Sequence, residues 1–311
     1  RLNAPPRRAA PHQPLVSSIH CKLFAMAVFW ASSYPLGRHL AQFEVPAVVA
    51  GLRLLFATSF LLLFAGARGQ LHITLTARQV AQFALLGFAG FCVHGLLLMY
   101  ALQFTHANTG AVINGAIPVV VVVLDFVLFR RRIAARGLLG VALAFLGTAV
   151  VVTHGALGSV LVAGIGRGEA LFLVAITGWA VYSIAGRPLL AVLPPLAVTT
   201  YACVAGLILL APLALAQMAA AAPLLNNPQL VLAIGAQAFF SMALGFTWYS
   251  QGVQQIGALN TAMYANVVPV AAFVLSAITL GELPDGPLVL GALLVMGGLV
   301  VVNRAQARTA I

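Results

Sequence analysis

Ten long apolar runs divide this chain, and their length restricts the backbone to helices that cross a lipid bilayer. A membrane-spanning helix needs about 20 mostly apolar residues. Runs of that kind fall at roughly 19–37, 46–65, 80–102, 107–129, 136–153, 169–187, 195–216, 229–251, 258–280 and 286–303. Charge, proline and glycine gather in the short links between them. No run alternates with period two, which a barrel strand requires. Backbone inside lipid must satisfy its own hydrogen bonds, so helices remain. The runs predict an all-α membrane protein with ten transmembrane helices.

Composition excludes the soluble alternative. Of the 311 residues 62% are hydrophobic and 7% charged, whereas soluble domains carry about a quarter charged residues. The net charge of +11 would suggest nucleic acid in a soluble chain. Here the cations sit between apolar runs rather than on one face, so the expected partner is a lipid bilayer and no nucleic acid is expected. Cys21, Cys92 and Cys203 lie far apart without disulfide or zinc spacing, so they read as apolar fillers and no metal is expected. Residues 1–18 read as a disordered cytoplasmic tail and 304–311 as a second one. The first run is long and nine more follow it, so it reads as a retained helix rather than a cleaved signal peptide.

Basic residues set the orientation. With a cytoplasmic N-terminus and ten spans, the cytoplasmic side holds Arg1, Arg7, Arg8, Lys22, Arg68, Arg78, Arg130, Arg131, Arg132, Arg136, Arg187, Arg304 and Arg308. The far side holds only Arg38 and Arg167, and Arg53 lies inside the second run. This bias places both termini in the cytoplasm of an inner-membrane protein.

The two halves repeat each other. Trp30-Ala31 with Gly37-Arg38 matches Trp179-Ala180 with Gly186-Arg187 at an offset of 179 − 30 = 149, as do Tyr100 and Tyr249. Pro118, Gly140 and Gly147 match Pro269, Gly291 and Gly298 at 151; Asn108-Thr109 matches Asn260-Thr261 at 152. Two five-helix units result, 19–153 and 169–303. Five is odd, so the second unit enters the membrane from the other side: an inverted repeat about an in-plane axis. Two such halves have two near-mirror packings, one opening a central site inward and one outward.

The chain resembles the EamA-type branch of the drug/metabolite transporter superfamily. The matching features are Trp30-Ala31-Ser32-Ser33-Tyr34-Pro35, Gly51-Leu52-Arg53, the Asn114-to-Pro118 segment, Trp179-Ala180-Val181-Tyr182-Ser183, Asn266-to-Pro269 and Gly281-Glu282. The first-half counterpart of Gly281-Glu282 is Arg130-Arg131, a departure from symmetry. The resemblance implies a secondary transporter, often an exporter of amino acids or other metabolites, with a central cavity lined by both halves.

Several polar residues inside the runs are candidates for that cavity. Arg53 lies about seven residues into its run, where a cation costs a few kcal/mol; it reads as a substrate-carboxylate anchor, a gating ion or a snorkelling side chain. Asp125 is the carboxylate well inside a run, so it is a proton-coupling candidate or a partner of Arg130 to Arg132. His94 reads as a proton group or a helix-packing histidine, and His106 lies at the outer face. Ser33, Tyr34, Tyr100, Trp179, Tyr182, Tyr249 and Tyr264 read as lining or packing, with Trp248 closer to an interfacial belt. Asn114 and Asn266 precede Pro118 and Pro269 and read as a polar pair at kinked helices or as interhelical amides. Gly140 with Gly147, and Gly291 with Gly298, lie on one face of their helices and predict close packing, within the chain or with a second copy; monomer and homodimer both stay open.

These features predict a carrier for small neutral, zwitterionic or amphipathic metabolites, without a cofactor. The alternative is an intramembrane enzyme acting on a lipid or lipid-linked substrate. It would need paired aspartates, GxSG with a histidine, or HExxH, and none is present. The P-loop pattern is also absent.

Overall fold

The computed structural model describes residues 15–71, 74–130, 135–156 and 165–309, and among them there is no strand. Ten helical segments cross back and forth. They are α1 (Leu15–Ala31, continued as Ser33–Leu40), α2 (Pro46–Ala67), α3 (Ala77–Ala101), α4 (Ala107–Phe129), α5 (Ala135–Val152), α6 (Arg167–Leu190), α7 (Pro195–Ala216), α8 (Pro228–Gly257), α9 (Tyr264–Leu280) and α10 (Gly286–Thr309). Seven of them, α2 to α8, are long and apolar enough to span a membrane unaided.

Local chemistry explains where they start and break. Proline opens α2, α7 and α8, where its missing N–H is one the helix would leave free. Thr76 and Gln79 cap α3 reciprocally. Pro35 lacks the N–H that would bond the Ala31 carbonyl, and α1 is interrupted at Ser32. Gly257, at φ 83°, turns the end of α8. Residues 15–18, expected in a tail, already form the first turn of α1, and α10 runs through the expected tail to Thr309. The remainder of both expected tails lies outside the described residues.

The expected inverted repeat is present. The ideal Cβ position of Gly140 lies 2.5 Å from the Gly298 carbonyl, and that of Gly147 lies 2.7 Å from the Gly291 carbonyl. Sequence number rises along α5 while it falls along α10, so the two helices are antiparallel. Repeats related by an axis along the membrane normal would make them parallel. Contacts between elements obey the same exchange: α1 packs on α8 and α9, while α6 packs on α3 and α4; α2 packs on α7 and α5 on α10. Backbone shape repeats where residues do not. Arg130 ends α4 at φ 53° and its counterpart Gly281 ends α9 at φ 68°.

The bundle has two faces. One carries the described ends, Leu15 and Thr309, and is called the terminal face; the other carries the links after α1, α3, α5, α7 and α9. The perimeter is apolar, with Leu63, Ile208, Leu232 and Ile278 each at least 67% exposed. Large apolar side chains this open are at home in lipid.

Candidate functional site

A cavity of about 100 Å³ lies between the halves, lined from α1, α2, α3, α4, α6, α7, α8 and α9. One water needs about 10–15 Å³ on this scale, so the space holds on the order of seven waters. That suits a small metabolite.

The backbone around it is unusual in both halves. Phe88–Leu96 of α3 and Ala238–Leu244 of α8 are π-helical, at matching places in the repeat. A π turn has an extra residue and widens the helix, and such turns recur at functional sites. Gly90, Phe91, His94 and Gly95 from the first segment, and Ser241 and Met242 from the second, line the cavity.

Its polar wall is a network about Arg53. The Arg53 Nε donates to Gln237 Oε1 at 2.8 Å, Nη2 to Ser33 Oγ at 3.3 Å and Nη1 reaches Met99 Sδ at 3.3 Å. Gln237 Nε2 donates to Ser33 Oγ, and the Ser33 and Ser241 hydroxyls are 3.2 Å apart. Trp30 Nε1 donates to the Ser241 carbonyl at 2.9 Å. No carboxylate forms a salt bridge with Arg53 among the described residues. Arg53 is therefore a cation held by neutral dipoles, with its charge left for an anion.

An aromatic cluster adjoins this network through Trp30. Trp30 meets Trp179 edge-on at 5.6 Å and Tyr249 at 5.5 Å; Phe246 packs on both tryptophans. The His94 ring lies 5.0 Å from Trp179, and its Nδ1 lies 3.1 Å from the Ala175 carbonyl. Asn114 also lines the cavity, and its Oδ1 has no hydrogen-bond partner. The space thus offers a guanidinium and π faces that attract cations, with the unpaired Asn114 Oδ1 buried in its wall.

Seven of the residues singled out from the sequence line this cavity together: Ser33, Tyr34, Arg53, His94, Asn114, Trp179 and Tyr249. Four do not. Tyr182 stacks behind Trp179 at 5.0 Å. Tyr100 accepts from Gln217 Nε2 at 2.9 Å, beside the link that follows α7. Tyr264 hydrogen-bonds His20 at the terminal face, and Asn266 sits in the 3₁₀ turn that opens α9 while Ala265 and Val268 do the lining. Asp125 is not among the residues that line the cavity, and it forms no salt bridge with Arg130; Arg131 and Arg132, its other expected partners, lie outside the described residues. Both its oxygens lie 2.8 Å from Arg187 Nη1 of α6. Gln237 and Ser241 were not anticipated, although an amide inside the eighth apolar run was visible as an exception to it.

Ion pairs tie both ends of the bundle. At the terminal face the pair is Arg187–Asp125. At the other, Arg38 Nε lies 3.6 Å and His106 Nδ1 3.3 Å from Glu282 Oε1.

A ten-helix inverted repeat around a polar pocket is a transporter architecture, and the comparisons agree. The model of the EamA-like transporter family matches residues 17–153 and again 166–304. The chain belongs to the EamA-like transporter family, and it is a membrane transporter. It is 26% identical over 287 residues to the uncharacterized transporter YyaM of Bacillus subtilis, covering 92% of this chain and 93% of that one. It is 29% identical to a probable terminal-alkyne amino-acid exporter of Streptantibioticus cattleyicolor, covering 91% and 92%. The uncharacterized inner membrane transporter YedA of Escherichia coli is 26% identical, covering 81% and 80%. A solved structure shares the fold with a TM-score of 0.63 at 20% identity, covering 95% of this chain and 99% of that one.

Proposed function

We propose that the protein is a secondary carrier that exports small zwitterionic metabolites of amino-acid size across the inner membrane by alternating access, with its terminal face in the cytoplasm. The observation that carries this reading is Arg53: a cation in the central cavity with neutral partners on one side and an unfilled space on the other. A substrate carboxylate supplies the missing charge. Its ammonium faces the Trp30, Trp179 and Tyr249 rings and the free Asn114 Oδ1. A polyanion would need more cations than the one present. The relative named as an amino-acid exporter supports the class and the direction.

The cytoplasmic placement of the terminal face follows from the charge bias. Arg38 and Arg167 are the cations of the opposite face, while the links on the terminal side hold most of the rest. Alternating access follows from the repeat, because exchanging the conformations of the two halves exchanges the side that is open. One chain encloses the whole cavity, so a monomer suffices for the cycle.

The test is efflux from proteoliposomes loaded with a panel of radiolabelled neutral amino acids, with amines and carboxylic acids as single-charge controls. Zwitterions should leave faster than either control, and Arg53→Gln should abolish the difference. Equal efflux of zwitterions and simple amines would reject the carboxylate anchor.

A further inference from the structure

The two ends of the bundle are tied by unlike chemistry. At the inner end the cation is Arg187, which stays charged at every physiological pH. The outer end adds two histidines. His106 Nδ1 is 3.3 Å from Glu282 Oε1, and His154 Nε2 is 3.9 Å from Glu169 Oε1. Glu169 also accepts from the Thr105 hydroxyl, and Glu282 Oε2 accepts from the Ala107 N–H at 3.1 Å. The imidazoles are 65% and 58% exposed while the two carboxylates are 17% and 6% exposed. The bases are thus far more open to water than the acids.

Three of these groups share a space, and Glu169 lies beside it against His154. His106, His154 and Glu282 line a second cavity of about 160 Å³ with Asn108, Thr109 and Asp285, separate from the central one. Asn108 is 2% exposed; its Nδ2 donates to the Glu282 carbonyl at 3.1 Å, and its buried Oδ1 has no hydrogen-bond partner. The elements meeting here are the ends of α1, α3, α5 and α9 and the starts of α4, α6 and α10. Their other charged or titratable groups are Arg38, His39 and Glu44 from the α1 end, Arg167 from α6, and Asp285, whose Oδ1 caps the N–H of Leu288.

We propose that this outer cavity is a proton-binding site, distinct from the substrate cavity, and that protons taken up there from the outer compartment hold the outer end closed. Each imidazole gains one proton from water and becomes an imidazolium; no other bond forms. His106 then pairs Glu282 across the α3–α4 and α9–α10 links, and His154 pairs Glu169 across α5 and α6. Both contacts bridge elements that must part for the outer mouth to open. With both imidazoles neutral, Arg38 remains as the cation on Glu282, and Glu169 keeps the Thr105 hydroxyl but no described cation. Among the described residues the inner end has no histidine–carboxylate pair, its one described histidine, His20, meeting the Tyr264 hydroxyl instead, so the effect is one-sided. The proposal rests on the alternating-access reading above.

The test needs no substrate. Ala50 lines the central cavity near the outer end of α2. Ala50→Cys, in a chain carrying Cys21→Ser, Cys92→Ser and Cys203→Ala, is labelled from outside with a membrane-impermeant methanethiosulfonate. Thiolate content changes with pH equally in every variant, so variants are compared at one pH at a time. At about pH 5.5 the chain with both histidines should react roughly 3- to 10-fold more slowly than the His106→Gln, His154→Gln chain, and at about pH 8 the two should match. His106→Lys with His154→Lys, which carries permanent charge, should react slowly at both. If the glutamine chain does not fold, the lysine chain decides: the histidine chain should match it in acid and outpace it in alkali. A rate ratio that ignores pH, or a lysine chain as fast as the histidine chain at every pH, overturns the proposal. Labelling from inside alone, in all variants, overturns the alternating-access reading and this site with it.

Discussion

Arg187 of α6 and Asp125 of α4 meet with one guanidinium nitrogen 2.8 Å from both carboxylate oxygens, 62 residues apart in the chain. The carboxylate is 15% exposed and the arginine 35%. The pair joins the second half to the first at the terminal face.

Asp125→Asn removes the charge and keeps the shape. The terminal end should open more often, and a cavity cysteine at Ala50 should label roughly 3- to 10-fold faster from the terminal side, consistent with loss of about 1 kcal/mol in a partly exposed pair. Exchanging the residues, Asp125→Arg with Arg187→Asp, should restore the slow rate. Labelling unchanged in Asp125→Asn would mean that the pair does not restrain that end.

Gln237→Leu should impair recognition of carboxylates without touching the substrate. Gln237 Oε1 accepts from Arg53 Nε and fixes the guanidinium plane. With it gone, the half-saturating concentration for a zwitterion should rise about tenfold while that for a simple amine is unchanged. Gln237→Glu, which pairs Arg53 internally, should weaken zwitterions further. Equal losses for zwitterion and amine would make Gln237 a packing residue only.

The α5–α10 seam predicts a sharp contrast between two adjacent glycines. A Cβ on Gly298 would lie 2.5 Å from the Gly140 carbonyl, whereas one on Gly297 meets nothing within 4 Å. Gly298→Val should cost about 3 kcal/mol and lower the melting temperature in detergent. Gly297→Ala should instead gain about 0.5–1 kcal/mol from helix propensity. Similar melting temperatures for the two variants would show that the helices do not approach this closely.

Arg130 holds a left-handed backbone that glycine holds in the other half. Arg130→Gly should raise thermal stability by about 1 kcal/mol, because glycine adopts φ 53° freely. Arg130→Ala should bring no such gain. If both variants shift equally, the effect belongs to the lost charge rather than to the backbone.

Much of this architecture was legible in the sequence, and the reasons are specific. The pairs Gly140/Gly291 and Gly147/Gly298 announced both the repeat and the tight seam, because only glycine lets backbones meet at this distance. Ser33, Arg53, Asn114 and Trp179 stood out as polar or bulky groups within or beside matched segments, and they do converge. Tyr100 and Tyr264 carried the same signal yet face the ends of the bundle. Asp125 has basic neighbours in sequence, and its partner among the described residues, Arg187, comes from another helix. Neither π-helical segment had any mark in the residue pattern.

The sequence by itself determined the number of spans, their pairing into two opposed halves and the side on which cations collect. Each is a sum over many residues of hydropathy or charge, and no single contact alters it. Only the tertiary structure decided which polar groups meet: Arg53 with Gln237, Arg187 with Asp125, His154 with Glu169. That outcome depends on the rotation of each helix about its axis, where one residue is about 100°. In water an apolar stripe reveals that rotation. In lipid the outside of a helix is as apolar as the inside, so the stripe vanishes and packing alone sets the angle.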